Sequence, residues 1–333
     1  MTKIYSNNFQ SADPQKALES YKSNGVFILK NVFKDQLIDS LRNKLDSFYS
    51  ESGDKRLRDI VQIKKDDINF YLNFFLNEKL EKFFEKVFNN NQTNNKNYIL
   101  PPMHFAKNYL PHSKFTRLGG WHRDCGGELQ YKECRKLISN KNYIFGKVGI
   151  YCQDNGEYGG GIDVIPRSNL DFNKNYFRLA WGTVGIKVLR ISQILSKNLH
   201  KFLTRNLIFQ KIFSITKLDI KKGDVAFFDA RIWHKGSYAL INVENNLDYD
   251  HSKLQANLPS SFKKYVLYSH FGNELGIKSY LVDRDRRVKK NNIKESTKWL
   301  NEISFVYDNN SYFKNSINNK KEIEKLIYSI NSN

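Results

Sequence analysis

The stretch KKGDVAFFDARIWHKG, Lys221–Gly236, predicts a tight turn followed by a strand that ends in a histidine. A Lys-Gly-Asp turn signal opens it, and the strand is expected to run from Val225 to His234. Since side chains alternate along a strand, one face should carry Ala226, Phe228, Ala230, Ile232 and His234. A histidine that closes such an apolar face is well placed to point into the interior of a β-barrel.

A second stretch, GGWHRDCGG at residues 119–127, carries a histidine and a carboxylate two positions apart. In an extended segment, His122 and Asp124 project to the same face, and the flanking glycine pairs let the backbone turn tightly. Cys125 would point to the opposite face, so it is not counted as a ligand. Neither stretch is specific when taken alone.

Taken together, the two stretches supply His122, Asp124 and His234 as a predicted metal site. Two imidazoles and one carboxylate on one side of an ion leave three positions open, which is the facial triad of non-haem Fe(II) oxygenases. A zinc site would favour four tetrahedral ligands, often including cysteine. The three cysteines form neither an even set nor a CxxC pair, which argues against a disulfide framework and a structural zinc site.

Around these motifs, the hydrophobic pattern predicts a mainly β fold with flanking helices. From Tyr98 onward, short β-branched or aromatic runs alternate with Gly, Pro, Asn and Asp turn signals, as in a sandwich or barrel. We expect one domain over residues 1–333, with N-terminal helical support at 13–97, a core at 98–275 and a C-terminal helical tail at 276–333. Within 13–50 the pattern reads helix, strand, helix, and the aromatic helical pattern at 67–90 indicates core packing.

The core is interrupted at residues 174–222 by a basic insert with the periodicity of one or two helices. From Asn173 to Gly223 there are eleven Lys or Arg and one acid, Asp219, so this stretch carries +10 of the net charge of +20. It could be a solvated helix packed on the barrel, a lid over an acidic or lipid-linked substrate, or a peripheral contact with an anionic membrane. No DNA or RNA module is recognisable, which disfavours nucleic acid, although modification of a base stays open.

The N-terminus lacks the apolar segment of a signal peptide, and no run of eighteen apolar residues occurs. With cysteines that do not suggest disulfides, these features favour a reduced, cytoplasmic protein.

Four motifs in order resemble the phytanoyl-CoA dioxygenase family of 2-oxoglutarate oxygenases. Residues 21–48 are similar to the family's opening helix, strand and helix, and WHRD resembles its iron-binding HxD. KVGIYCQDNGEYGGGIDVIPRSN resembles its Gly-rich hairpin ending in PGSH, and GDVAFFDARIWHKG resembles its distal-histidine strand. The resemblance covers most of residues 15–275. In place of the family's Gly and final His, the hairpin has Arg167 and Asn169.

This resemblance implies a double-stranded β-helix, the jelly-roll core also found in cupins, with Fe(II) at its mouth. 2-Oxoglutarate would chelate the metal and O2 would take the remaining position, with release of succinate and CO2. The protein would supply ligation, orientation and water exclusion for hydroxylation of a small or acyl- or lipid-linked substrate. Because the halogenating branch replaces the carboxylate with a small residue, Asp124 favours hydroxylation, or a related desaturation or ring closure.

The resemblance also suggests which residues hold the far carboxylate of 2-oxoglutarate. The family uses Arg about ten residues beyond the distal histidine, but no Arg occurs between His234 and Asp283. Aligning FKKYVLYSHFG, residues 262–272, with the family's strand puts Lys264 at that position, whereas Lys263 would face the other way.

Lysine lacks the bidentate fork of arginine, so a hydroxyl should assist it. Tyr268 and Ser237 are the candidate hydroxyls. Lys107, some fifteen residues before His122, matches a family lysine that contacts the co-substrate.

Two other classes stay open from the sequence. One is a metal-dependent isomerase or epimerase on a cupin-like barrel, and the other is a non-catalytic basic binding protein on the same barrel. Consumption of O2 with formation of succinate would separate the oxygenase from both.

Overall fold

The structure is a computed structural model. It describes residues 3–51, 57–59, 70–71, 73–75, 77–88, 97–99, 104–106, 121–154, 162–172, 181–236, 265–273, 275–280 and 282–283. Two β-sheets and flanking helices make up these residues, in agreement with the expected mainly β class with flanking helices. The division into one domain with the bounds given above stays a prediction.

The larger sheet has eight strands. They are β1 (Tyr5–Asn8), β2 (Val26–Lys30), β3 (Leu57–Asp59), β4 (Asn97–Ile99), β5 (His104–Ala106), β6 (Phe145–Tyr151), β9 (Val225–Asp229) and β11 (Val266–Asn273). Their order is β1-β2-β9-β6-β11-β5-β3, with β4 also paired to β11. The β1–β2 pair is parallel and the others are antiparallel.

The smaller sheet has three antiparallel strands in the order β10-β7-β8. They are β7 (Ile162–Ile165), β8 (Thr216–Lys217) and β10 (Trp233–Gly236). Its apolar side chains form one buried cluster with side chains of the larger sheet, namely Val26, Ile28, Ala226, Phe228 and Val266 on the larger sheet and Ile162, Val164 and Ile232 opposite. The two sheets therefore face each other across an apolar inner layer.

Helices cover the other face of the larger sheet. They are α1 (Pro14–Asn24), α2 (Asp35–Glu51), α3 (Glu78–Phe88) and α4 (Lys132–Ile138). Their apolar faces share a second cluster with the outward side chains of β2, β6 and β9, including Phe27, Val148, Ile150 and Phe227. The aromatic side chains of α3, such as Phe84 and Phe88, are buried there, so the expectation of core packing is confirmed.

The helix, strand and helix expected at 13–50 are confirmed as α1, β2 and α2. Asp13 caps α1 by accepting from the backbone N–H of Gln15 and Lys16, and Gly25 ends the helix with a left-handed φ of 76°. The chain then enters β2 directly. Its strand β2 lies between the edge strand β1 and β9, and by pairing with β9 it supports the strand that leads to His234.

The expectation of one strand from Val225 to His234 is wrong. The chain leaves the larger sheet after Asp229 and joins the smaller sheet at Trp233. The carboxylate of Asp229 accepts a hydrogen bond from the backbone N–H of Arg231, an Asp-led turn that breaks the extended backbone. Ala230 consequently packs in the helix-covered cluster instead of the inner layer, whereas Ala226, Phe228 and Ile232 face inward as expected.

The basic insert contains three helices within the described residues, where one or two were expected. They are α5 (Trp181–Leu195), α6 (Lys197–Arg205) and α7 (Leu207–Ile212). Of the C-terminal tail, residues 276–280 and 282–283 are described, and the helix expected near its end lies outside them. No helix of the described part combines the length and apolarity needed to cross a membrane.

Candidate metal centre

Two histidines from distant parts of the chain meet through their backbones. His122 and His234 form an antiparallel bridge in which the N–H of each donates to the carbonyl of the other, at 2.9 and 3.0 Å. Their rings lie side by side, with centroids 4.3 Å apart. The bridge therefore adds the HxD segment to the small sheet beside β10 and fixes the relative position of both imidazoles.

The carboxylate of Asp124 completes the group. The backbone is extended at Arg123 and then enters a short 3-10 turn, Asp124–Gly126, whose Cys125 N–H donates to the Ala230 carbonyl at 3.2 Å. Asp124 Oδ1 lies 3.8 Å from His122 Nε2, and Asp124 Oδ2 lies 3.6 Å from His234 Nε2. One ligand atom from each of the three residues lies within 4.8 Å of the others.

A partly buried lysine faces the same carboxylate. Lys147, on β6, donates from Nζ to Asp124 Oδ1 at 2.8 Å. Burial alone would raise the pKa of Asp124, but the charge of Lys147 and the neighbouring His234 and His122 hold it well below its ordinary value. Asp124 is therefore an anion, and its buried Oδ2 has no hydrogen-bond partner among the described residues.

The imidazole of His234 is held in one tautomer. Its Nδ1 lies 3.1 Å from the carbonyl oxygen of Ile232, and since a carbonyl can only accept, Nδ1 carries the proton. Nε2 then carries no proton, and its lone pair lies on the side of the ring that faces Asp124. Burial lowers the pKa of His234 to about 3, so the ring is neutral at physiological pH, as a metal ligand requires.

Arg123 points away from the three ligands and fastens their segment to the residues that follow β7. Its guanidinium donates to the Ser168 carbonyl at 3.0 Å and pairs with Asp171. It also lies over the rings of Phe172 and Trp233, at 4.8 and 4.5 Å from the ring centroids. These contacts hold the backbone from which His122 and Asp124 project.

The three side chains fit a divalent metal ion by their chemistry. They offer two imidazoles and one carboxylate, and the buried, unpaired Oδ2 of Asp124 is an atom that a cation would satisfy. The His122 side chain is 50% exposed, so the group opens toward solvent on that side. Cys125 is fully buried in the helix-covered cluster, and burial raises its thiol pKa well above the ordinary value, so it is not placed as a ligand.

Of the residues predicted to hold 2-oxoglutarate, Tyr268 is the one that falls in the described part of the chain. Its ring lies on the inner side of β11, with its centroid 5.8 Å from Lys147 Nζ. Lys264, Lys263, Lys107 and Ser237 lie outside the described residues. The insert packs on this site from one side, since Ile186, Leu189 and Phe209 form a cluster with Trp121 and Ile165 that Trp233 also joins.

Sequence reasoning missed Lys147, although a signal was present. The run FGKVGIY, residues 145–151, places one lysine inside an apolar strand, where an unpaired charge would be costly. A carboxylate was therefore to be expected opposite it.

No family model matches the chain, and no curated protein matches it. The resemblance to phytanoyl-CoA dioxygenases accordingly rests on the four sequence motifs. Among solved structures, the chain is similar to the crystal structure of HygX from Streptomyces hygroscopicus with nickel and 2-oxoglutarate bound. The sequences are 12% identical, the match covers 78% of this chain and 86% of that chain, and the TM-score is 0.44, too low to establish the fold.

Proposed function

We propose that the protein is an Fe(II)- and 2-oxoglutarate-dependent dioxygenase that hydroxylates an organic substrate. The observation that carries the proposal is the convergence of His122, Asp124 and His234, whose ligand atoms lie within 4.8 Å of one another. Three protein ligands from one side would leave room for a bidentate co-substrate and O2. The four sequence motifs support the same conclusion, and we take the two facing sheets as the double-stranded β-helix.

Iron bound to these residues would supply the redox chemistry that converts substrate, 2-oxoglutarate and O2 into hydroxylated substrate, succinate and CO2. The chain's own contribution is to prepare the ligands. The Ile232 carbonyl fixes the His234 tautomer, Lys147 keeps Asp124 ionised, and Arg123 holds the segment between His122 and Asp124. The apolar layer between the two sheets would exclude water behind the ligands.

The proposal is tested by turnover with O2. Anaerobically purified protein with Fe(II), 2-oxoglutarate and air should form succinate slowly even without substrate. We expect His122→Ala, Asp124→Ala and His234→Ala to abolish this activity and metal binding while the circular dichroism spectrum stays that of wild type. Lys82→Met is the control, because Lys82 is exposed on α3 and pairs with Glu78 at 2.6 Å.

The other outcomes identify the competing classes. Substrate conversion in the absence of O2 would indicate an isomerase or epimerase, and metal binding without any turnover would indicate a binding protein. Full succinate formation by Asp124→Ala would show that the ligand assignment is wrong.

A further inference from the structure

Lys147 lies on the inner face of the larger sheet among aromatic side chains. In the strand register it stands between Phe228 of β9 and His270 of β11. Its side chain is 16% exposed, and Asp124 is its acidic partner within the part of the chain that the structure describes. An ammonium group held this far from water requires a nearby anion.

Asp124, whose carboxylate accepts the hydrogen bond of Lys147, is also one of the three proposed metal ligands. A divalent ion, the Lys147 ammonium and the Asp124 carboxylate together would carry a net charge of +2, because a histidine that binds a metal ion does so as the neutral imidazole. A site with that charge favours a dianion. 2-Oxoglutarate has two carboxylates, and the one that does not chelate the metal needs a cation.

We propose that Lys147 binds the far carboxylate of 2-oxoglutarate once the metal has taken over the charge of Asp124. This inference rests on the proposed function. It gives β6, and not only the strand around Lys264, a role in choosing the co-substrate. Tyr268, whose ring lies beside the Lys147 ammonium, would line the same subsite.

The test compares two acids of equal chain length, 2-oxoglutarate and 2-oxopentanoate, the second of which lacks the far carboxylate. Their dissociation constants are measured by calorimetry on Ni(II)-loaded protein, after the metal affinity of each variant has been determined. Lys147→Met should raise the dissociation constant of 2-oxoglutarate by about tenfold or more, which corresponds to the loss of one charged hydrogen bond. The dissociation constant of 2-oxopentanoate should change by no more than about twofold. Lys147→Arg should restore most of the preference, and Lys82→Met should not change it.

Equal weakening of both acids would overturn the inference, since Lys147 would then act only through Asp124. Loss of the preference in Lys264→Met with its retention in Lys147→Met would also overturn it. If metal-loaded wild type bound neither acid, the proposed function itself would fail. If wild type preferred 2-oxoglutarate and Lys147→Met kept that preference, only this inference would fail.

A second, independent observation concerns the outer face of the insert. Among the described residues, all exposed large hydrophobic side chains except Leu37 lie on α5, α6 and α7. They are Ile191, Ile194, Leu195, Leu199, Phe202, Leu207, Ile208 and Ile212, which are 40–78% exposed. The helices are consecutive, with α5 packed on α6 and α6 on α7. Soluble monomers leave at most a few hundred Å² of contiguous apolar surface open.

Basic residues are interspersed with these apolar side chains. Residues 181–212 contain six Lys or Arg and no acid. On α5, Lys187, Ile191 and Ile194 follow the spacing of one helix face, and on α7, Ile208, Lys211 and Ile212 do the same. An apolar face with cations and no anions matches the surface of an anionic bilayer, where the apolar groups enter the acyl region and the cations meet phosphate.

We infer that this face docks on an anionic lipid surface. The opposite side of the same helices packs on Trp121 and Trp233, the chain neighbours of two proposed ligands, so docking would bring lipid close to the metal centre. A membrane-borne or acyl-linked substrate could then reach the centre without crossing bulk water.

Vesicle flotation of the full chain tests this inference, with phosphatidylcholine alone and with added phosphatidylglycerol. Wild type should bind the anionic vesicles and leave the neutral ones largely free. The triple variant Ile194→Ser, Leu207→Ser, Ile208→Ser should reduce the partition coefficient at least about tenfold. Replacing Lys187, Arg190 and Lys211 with Gln should remove the preference for the anionic lipid.

A matched control replaces exposed residues elsewhere, with Leu37→Ser, Lys16→Gln and Lys82→Gln, and should bind as wild type does. Absence of wild-type binding to anionic vesicles would overturn the inference. A wild-type dimer in light scattering that the apolar variant dissociates, with vesicle binding unchanged, would assign the face to a second copy of the chain instead.

Discussion

At the scale of single residues, the ligands are held by buried charges. Asp229 is fully buried and receives a bidentate contact from Arg231, with N–O distances of 2.9 and 2.6 Å. The same guanidinium lies over the ring of Tyr143, 4.9 Å from its centroid. This pair stands where the chain passes from the larger sheet to the smaller one. Arg231 is followed directly by Ile232, whose carbonyl orients the ring of His234.

Removing one partner of this pair should be costly. Arg231→Ala leaves the Asp229 charge buried without its counter-ion, and we expect a loss of about 3 kcal/mol or more in the free energy of unfolding. Metal affinity should fall as well, since the turn that positions Ile232 and His234 is disturbed. Urea denaturation and metal titration measure the two effects.

The exposed ion pair between Lys82 and Glu78, at 2.6 Å, provides the control. Lys82→Ala should lower the free energy of unfolding far less than Arg231→Ala, because solvent screens that pair. A similar small loss for Arg231→Ala would show that the buried pair does not hold the crossing.

At the scale of elements, the turn that follows β7, beside the residues that hold Arg123, contains a strained position. Arg167 has a φ of 70°, in the left-handed region that favours glycine, and it stands where the resembled family has Gly. Its backbone N–H donates to the Asn24 carbonyl at 3.2 Å, which ties this turn to the end of α1. Arg167 thus adopts a backbone conformation that glycine would adopt without strain.

Arg167→Gly should therefore stabilise the protein. Release of the left-handed strain should contribute about 1–2 kcal/mol, and the greater entropy of glycine in the unfolded chain offsets part of it. The free energy of unfolding should therefore rise by about 0.5–1 kcal/mol. The melting temperature should rise. Lys187→Gly, within α5, is the control in which glycine should be unfavourable. Its free energy of unfolding should fall by about 1 kcal/mol, because glycine is a poor helix former. A lower melting temperature for Arg167→Gly would mean that the arginine side chain contributes more than its backbone costs.

Helix α3 carries a pH dependence of its own. Burial, with the nearby carboxylates of Glu85 and Glu78, raises the pKa of Glu81 from its ordinary 4.5 to about 7. A group with a raised folded-state pKa favours the folded state below its unfolded value, and that contribution is lost as pH rises through the folded value. The folded protein therefore loses stability as the pH rises from about 4.5 to 7 and Glu81 ionises.

Glu81→Gln should remove this loss. The melting temperature of the variant minus that of wild type should increase as pH rises from 5 to 8. Ser47→Ala, at an exposed position on α2 that does not titrate in this range, should show no such trend. A difference for Glu81→Gln that stays constant over this range would contradict the assignment.

At the scale of the whole molecule, local signals in the sequence predicted the helices and strands of the N-terminal unit. Asp13 and Gly25 mark both ends of α1, and apolar runs mark β2 and β9. The meeting of His122, Asp124 and His234 was also expected, because each motif carries its own turn signals. The family-level resemblance added the order of the motifs, which no single stretch contains.

Other features depended on contacts that periodicity does not encode. Alternation continues unbroken through Ala230, so nothing local showed that the chain changes sheets there. Both faces of β6 are buried, so its pattern did not show that Lys147 faces the ligands. The insert is apolar on more than one side, and packing alone decided that Ile186 and Leu189 face inward while Ile191 and Ile194 face out.

The central claim, one metal ion held by three side chains with half of its coordination sphere open, is tested most directly by optical titration with Co(II). We predict one ion per chain with the weak visible absorption of a six-coordinate ion, which changes when 2-oxoglutarate is added and is lost in His234→Ala. A strong tetrahedral spectrum that ignores 2-oxoglutarate, or unchanged binding by His234→Ala, would contradict the account.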